Sequence, residues 1–425
     1  MSDSPHDRQC LPGRRHLLLG LIGAAAGPSM AALAAQSAAG ATSAIEGARW
    51  WTGQAFEPRR MFVVQRRFSR TAPARIDRHI DLAGAYVVPP YADAHNHGIG
   101  TGDTARDAEM VARYRRDGVL YMQSLGNLPL ARDERERLGL GATAGVDARL
   151  AQGSITGPGG HPMGIIRDRL LPAGCFPGQT LDTLRGRRFH EIATAEQLRE
   201  QWPVIRRADG DLVKCFLFNS GSYTQRRDDP AYFGRRGLDP GLVPLVVSLA
   251  HADGLPVAAH VVDMDDYRAA LDGGVDVIGH IPTDGTISEA EAKRTAERRV
   301  TVLTTCAFLA RLAGPSRAAV IDRQRTSLTR LRDAKAHLAI GTDDPTDTGL
   351  GEIRHLATLG VFSAAELLDM WTGASARAIF PRRQVGSLAD GAEASFLALD
   401  ADPLADWANA LRIRARYRQG ELLPA

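Results

Sequence analysis

The stretch AYVVPPYADAHNH, residues 85–97, contains the pattern that organises the whole chain. An apolar run at residues 85–88 leads through two prolines to His95 and His97. Side chains at positions i and i+2 of a strand point to the same side, so both imidazoles can reach a single cation. Imidazole suits zinc well, although two unrelated histidines can produce the same spacing. Other parts of the sequence are needed to distinguish a metal site from two unrelated histidines.

Four further apolar runs also end at a side chain that can bind a metal. They are residues 211–213 before Lys214, 255–259 before His260, 275–279 before His280, and 338–342 before Asp343. In a parallel barrel the carboxyl ends of all strands meet at one face, where the active site lies. A lone histidine at a strand end is more often a core residue. Five coincident strand ends favour a shared metal site.

The intervening segments predict the fold class. Residues 85–381 alternate strand-like runs with charged helical stretches, which is typical of βα units and a parallel sheet. The flanks instead contain short alternating runs separated by turn residues. The sequence therefore predicts an α/β protein, a (β/α)₈ TIM barrel at 89–381 with a small β-sandwich module built from 45–88 and 382–425. The length of 425 residues is sufficient for both parts.

Charge and the first residues constrain partners and location. The net charge of +3 gives no electrostatic case for nucleic-acid binding. In residues 1–35, Arg14 and Arg15 precede an apolar run, and a small-residue cleavage site follows at 32–34. This pattern predicts a twin-arginine export signal and a periplasmic or secreted protein. The apolar run is shorter than the roughly 18 residues of a membrane span, so we expect no stable anchor. A homo-oligomer is left open.

Lys214 has an unusual context. It is one of only three lysines and lies within the apolar run LVKCFLF, residues 212–218, where a charged ammonium is costly to bury. Burial favours the neutral amine, which can react with CO₂ to give a carbamate, an anionic ligand with two oxygens. An ion pair with Asp343 and a Schiff-base lysine are the alternatives.

Together these motifs resemble the amidohydrolase superfamily, and more narrowly its imidazolonepropionase-like and dipeptidase-like members. The likeness begins at residues 80–89, runs through the strand-end residues, and ends with the turn at 386–391 and residues 400–404. The resemblance implies two divalent ions, expected to be zinc. His95, His97 and Asp343 would bind one, His260 and His280 the other, and carbamylated Lys214 would bridge them. A hydroxide between the ions would be the nucleophile and Asp343 the general base.

The resemblance also indicates two substrate contacts. His161, in the glycine-rich loop 156–161, matches a histidine that can hydrogen-bond the substrate carbonyl. Tyr223, after NSGS at 219–222, matches a tyrosine that can contact the substrate in dipeptidase-like relatives. An exposed loop histidine and a packing tyrosine are the structural alternatives.

The expected activity is hydrolysis of a C–N bond in an amide, a cyclic amide or a short peptide, so the expected partner is a small-molecule or short-peptide substrate. The same hydroxide can attack an ester, a lactone or a phosphotriester, which makes an esterase, lactonase or phosphotriesterase the second enzyme hypothesis. A non-catalytic binding barrel is the third hypothesis. The complete ligand set argues against it.

Overall fold

The computed structural model describes residues 41–141 and 145–424. The predicted export signal at residues 1–35 lies outside the described residues, so export stays a prediction. No helix among the described residues is both long enough and apolar enough to cross a bilayer.

The described chain alternates strands and helices along most of its length. The strands are β1 (Ser43–Trp51), β2 (Phe56–Val64), β3 (Arg67–Ser69), β4 (Arg78–Val88), β5 (Tyr91–Asn96), β6 (Val119–Ser124), β7 (Asp147–Leu150), β8 (Ile155–Thr156), β9 (His190–Glu191), β10 (Val213–Phe216), β11 (Val257–His260), β12 (Val277–Ile278), β13 (Thr301–Leu303), β14 (His337–Ala339), β15 (Phe396–Leu399), β16 (Ile413–Arg418) and β17 (Glu421–Leu422). The α-helices are α1 (Thr104–Arg116), α2 (Arg132–Arg137), α3 (Met163–Ile165), α4 (Leu181–Leu184), α5 (Ala195–Arg207), α6 (Tyr223–Arg226), α7 (Val243–Ala252), α8 (Met264–Gly273), α9 (Glu289–Glu297), α10 (Cys306–Leu312), α11 (Arg317–Asp333), α12 (Leu350–Leu359), α13 (Ala364–Asp369) and α14 (Ser375–Ile379).

Strands from both flanks of the chain lie in one sheet, with the order β17-β16-β15-β4-β1-β2-β3. The long strand β4 is central, because it pairs in parallel with β1 on one side and antiparallel with β15 on the other. The two-layered sandwich expected from the sequence is therefore not confirmed. Continuous hydrogen bonding through β4 joins the described flank strands into a single sheet.

The strands between the flanks pair in parallel, which confirms the α/β class. One sheet has the order β5-β6-β7, and the other has the order β14-β13-β12-β11-β10-β8-β9. The amide of Ala94 donates to the carbonyl oxygen of Ile340 at 2.8 Å, and that of Asp211 donates to Leu150 at 2.8 Å. These bonds place β5 beside the end of β14, and the end of β7 beside the start of β10. The closed eight-stranded barrel stays a prediction.

Helix α8 illustrates how a helix returns the chain to the starting end of the sheet, so that the next strand runs in the same direction. Asp263 caps its first turn in a capping box with Asp266, and Gly274 ends it in the left-handed conformation. Met264, Tyr267, Ala270 and Leu271 form its buried face. The helix thus carries the chain from the end of β11 back to the start of β12, so that both strands end at the same face.

Candidate metal centre

The strand ends bring the predicted ligands to one place. His95 lies near the end of β5, and His260 is the last residue of β11. Lys214 lies within β10, while His280 lies two residues beyond β12 and Asp343 four residues beyond β14. Since the pairing strands are parallel, all five side chains are delivered to the same end of the sheet.

His95, His97 and Asp343 form the first group of ligands. Oδ1 of Asp343 lies 3.4 Å from Nε2 of His95 and 3.2 Å from Nε2 of His97. Two ligand atoms about 2.1 Å from a tetrahedral ion are about 3.4 Å apart. One atom from each side chain lies within 4.8 Å of the others. The spacing therefore fits a shared metal ion.

His260 and His280 form the second group. Nδ1 of His260 and Nε2 of His280 are 2.8 Å apart. Nε2 of His280 also lies 4.0 Å from Oδ2 of Asp343. The Asp343 carboxylate consequently faces both groups, with one oxygen towards each.

Hydrogen bonds orient three of the imidazoles. Nδ1 of His95 donates to the carbonyl oxygen of Gly279 at 2.9 Å, and Nδ1 of His97 donates to that of Gly126 at 3.0 Å. Nδ1 of His280 is hydrogen-bonded to the Thr305 hydroxyl at 2.9 Å. With Nδ1 held in this way, each ring has its Nε2 within 4.0 Å of an Asp343 oxygen, which is the orientation expected if Nε2 binds the metal. Burial lowers the pKa values of His95 and His280, which favours the neutral, metal-binding ring.

Lys214 lies close enough to His95 and His280 for its charge to act on both, and it is 1% exposed. Its Nζ has no hydrogen-bond partner among the residues that the structure describes. A Cβ on Gly279 would be 3.0 Å from this Nζ and 3.4 Å from Cε1 of His95, so the glycine makes room for both side chains. Burial lowers the pKa of Lys214 to about 8. The charge of Asp343 raises the pKa of Lys214, but no carboxylate of the described residues hydrogen-bonds to Nζ, so the expected alternative of an Asp343 ion pair is not formed as a direct contact.

A buried network that the sequence did not reveal joins the ends of β5 and β14. Oδ2 of Asp93 accepts hydrogen bonds from Thr342 at 2.9 Å, Asn96 at 3.0 Å and Tyr114 at 3.2 Å. Its Oδ1 accepts the amides of His95 at 3.2 Å and Thr342 at 3.1 Å. Burial raises the pKa of Asp93 to about 7. The network fixes both ligand-bearing segments relative to each other.

We expect Asp93→Ala to lower the free energy of unfolding by about 3 kcal/mol, because it leaves several buried donors without an acceptor. Urea unfolding of the metal-free protein measures this loss independently of metal affinity. Asp228→Ala is the control, since the Asp228 side chain is 84% exposed and should change stability little. A loss below about 1 kcal/mol in Asp93→Ala would mean that the network adds little stability.

Close backbone contact between the two segments requires a glycine at position 341. A Cβ there would be 2.6 Å from Cβ of His95 and 3.2 Å from its backbone nitrogen. The amides of Thr342 and Asp343 donate to the carbonyl oxygen of His95 at 3.1 and 2.8 Å. The Gly-Thr-Asp sequence therefore sets Asp343 beside His95.

A cavity of about 300 Å³ opens onto these ligands. His97, His260, His280 and Asp343 lie on its wall. Much of the remaining lining is apolar, and includes Ile165, Phe176, Phe216, Phe218, Phe308 and Leu312. An apolar cavity with a few convergent polar groups is typical of a small-molecule site.

The two predicted substrate contacts differ in position. The ring of His161 lies on the cavity wall, stacked on His260 with 4.6 Å between centroids. Burial lowers its pKa to about 3, so the ring is neutral near pH 7. Tyr223 begins the short helix α6 and is not among the described residues that line this cavity. Its contact with substrate stays a prediction.

Solved structures share the fold over nearly the whole chain. Ochratoxinase from A. niger matches with a TM-score of 0.73 at 15% identity, covering 90% of this chain and 95% of that one. A Xaa-Pro dipeptidase with bound methionine matches at 0.72 and 17%, covering 91% and 100%. Molinate hydrolase matches at 0.70 and 16%, covering 90% and 95%. At such identities the likeness establishes the fold alone.

The family of this chain follows from a match to a protein-family model. No curated protein is similar enough in sequence to match the chain. The model of the amidohydrolase family matches residues 193–419, which is more than half of the chain and includes Lys214, His260, His280 and Asp343. The chain therefore belongs to the amidohydrolase family and is an enzyme, a hydrolase.

Proposed function

We propose that this hydrolase cleaves a C–N bond in an amide, a cyclic amide or a short peptide, at two divalent ions held at the end of a (β/α)₈ barrel. The observation that carries the proposal is the position of Asp343. Its Oδ1 lies 3.2 Å from Nε2 of His97, and its Oδ2 lies 4.0 Å from Nε2 of His280. One carboxylate thus serves both groups of histidines.

The residues present fit two ions. His95, His97 and Asp343 would hold one ion, and His260 with His280 would hold the other. The buried Nζ of Lys214, which lacks a partner within the described chain, supports a carbamate bridge at this point. When bound, the ions would polarise the scissile carbonyl group and lower the pKa of a water molecule.

The protein's own groups would position the substrate and move the proton. Asp343 accepts the proton of the attacking water and returns it to the leaving nitrogen. The neutral His161 ring donates a hydrogen bond to the substrate's carbonyl oxygen from the cavity wall. Aromatic side chains such as Phe216 and Phe218 exclude bulk water, which strengthens each of these electrostatic contacts.

The similar structures support a C–N bond as the target. They include a Xaa-Pro dipeptidase, a prolidase complexed with N-methylphosphonate-L-proline, and phenylurea hydrolase B. The sequence identities are 17%, 18% and 18%, so the choice of substrate depends on the cavity of this chain.

We expect close to two zinc ions per chain in protein purified without chelator, because six ligands are too many for one tetrahedral ion. Elemental analysis measures the content. Dialysis against a chelator should remove the ions and abolish hydrolysis, and added Zn²⁺ should restore it. Matched amides, esters and phosphotriesters of one acyl or aryl group, tested side by side, identify the bond that is cleaved. A rate acceleration over the uncatalysed reaction that is larger for the ester or phosphotriester than for the amide would contradict the amide assignment, and full activity without metal would contradict the mechanism.

A further inference from the structure

Arg188 is a buried cation in the wall of the candidate active-site cavity. It lies between α4 and β9, and only 6% of the residue is exposed. Nη1 has no hydrogen-bond partner, and no ion pair to the guanidinium exists, among residues 41–141 and 145–424. Burial lowers the pKa of Arg188 to about 10, with no nearby acid to offset the effect. The group remains a cation near pH 7.

An arginine buried without a counter-ion is strongly unfavourable for folding. Buried charges are normally paired or bind a ligand. A residue that lowers stability without compensation is most often found at a functional site. Asp343 is the only acidic residue among the described residues of the cavity wall, and it already serves the metal groups. Arg106 is the other arginine of this wall, and Arg188 is the one that has neither an ion pair nor a partner for its Nη1 among the described residues.

The position of Arg188 places this charge beside the metal centre. A Cβ on Gly126 would lie 2.5 Å from Nη1 of Arg188 and 3.0 Å from Oγ of Ser154. The Ser154 hydroxyl also has no partner among the described side chains and backbone groups. Gly126 has a φ of +144°, and its carbonyl oxygen accepts the hydrogen bond from His97. One residue thus separates the metal ligand from the unpaired guanidinium.

We infer that Arg188 binds a carboxylate of the substrate, and that the substrate is an apolar amide with one free carboxylate, such as an N-acylated apolar amino acid or a dipeptide. The planar guanidinium matches a carboxylate through two parallel hydrogen bonds, and both charges are then neutralised inside the cavity. The apolar lining would bind the rest of the molecule. The inference specifies the substrate class of the proposed amide hydrolase.

Arg188 would be buried in the same way if it served the metal centre and not the substrate. Arg188 could balance the negative charge of a Lys214 carbamate, and its charge does act on the Lys214 amine. In that case it would be a positioning residue for the metal centre, and its loss would lower metal content and all activities together. The test has to separate this role from recognition of the substrate.

The test uses two uncleavable probes with zinc-loaded protein. One is the ketone isostere of N-benzoyl-L-leucine, in which CH₂ replaces the scissile nitrogen; the other is the same ketone without its carboxyl group. We expect the wild type to bind the acid about 100-fold more tightly by calorimetry. Arg188→Met should lose this preference and still bind the neutral ketone normally. Arg132→Met removes a side chain that is 91% exposed and should behave as the wild type.

Metal content and thermal unfolding complete the test. Arg188→Met should keep its zinc, and its Tm should be equal to or above that of the wild type, because the removed charge has no partner. A wild type without preference for the acid, or a variant that retains the preference, would overturn the inference. So would a joint loss of zinc and of binding to both probes, which would assign Arg188 to the metal centre. Because neither probe is cleaved, these outcomes are independent of whether the enzyme hydrolyses amides.

Discussion

Replacing Asp343 with asparagine should lower kcat by roughly 10⁴-fold, the upper end of what a general base contributes. The amide keeps the shape of the side chain but cannot accept a proton. The backbone should tolerate the change, because Asp343 has a φ of +50° and asparagine adopts this left-handed region readily. Steady-state kinetics, circular dichroism and elemental analysis together report turnover, folding and metal content.

Asp344 provides the matched control for this variant. It is the next residue, and its Oδ2 forms an ion pair with Arg311 at 2.6 Å rather than facing the histidines. Asp344→Asn should keep kcat within about tenfold of the wild type. If Asp343→Asn retained metal and turnover while Asp344→Asn lost them, the general base would have to be assigned to Asp344.

Replacing Lys214 with alanine should also lower activity by about 10⁴-fold or more. When catalytic residues act as a unit, the loss of one costs about as much activity as the loss of all of them. The variant loses the bridging charge, so metal content should fall in parallel. Acetate or propionate added in solution should restore part of the activity, since a small carboxylate fits the vacated space and supplies two oxygens. Elemental analysis and a titration of activity against carboxylate concentration measure both effects.

Lys214→Arg separates a carbamate from a structural cation. Arginine keeps the positive charge but cannot form the carbamate, so it should be as damaging as alanine. Near-normal turnover and metal content in Lys214→Arg would show that a cation is sufficient. Lys293→Ala is the control, because the Lys293 side chain is 76% exposed and should not affect activity.

The sequence was sufficient to predict the α/β class because its signal is local. Each ligand follows an apolar run that is long enough for one buried strand, as with residues 255–259 before His260. The common direction of parallel strands then converts separate positions in the sequence into one place in the molecule. Neither step requires a long-range contact to be known in advance.

What the sequence missed depends on contacts between distant segments. Arg188 resembles any other arginine, because the chain has 52 basic residues of which only three are lysines. Its burial without a partner becomes visible only once Gly126 and the cavity are in place. Asp93 is similar, since its main partner, Thr342, lies 249 residues away. The single flank sheet was missed because strand alternation predicts strands without predicting their neighbours.

The pairing of β4 with β15 has a consequence for how the chain reaches its native state. Val88 pairs with Leu397, so one side of β4 has no partner until the C-terminal segment has been synthesised. Contacts of such long sequence separation form slowly, and an uncovered apolar strand edge is prone to aggregation in the meantime. Ala85, Val87 and Val88 are fully buried in the finished sheet. The nascent protein is therefore most vulnerable during the interval between synthesis of β4 and release of the C-terminus, when a chaperone that shields extended apolar segments would contribute most to the yield of folded enzyme.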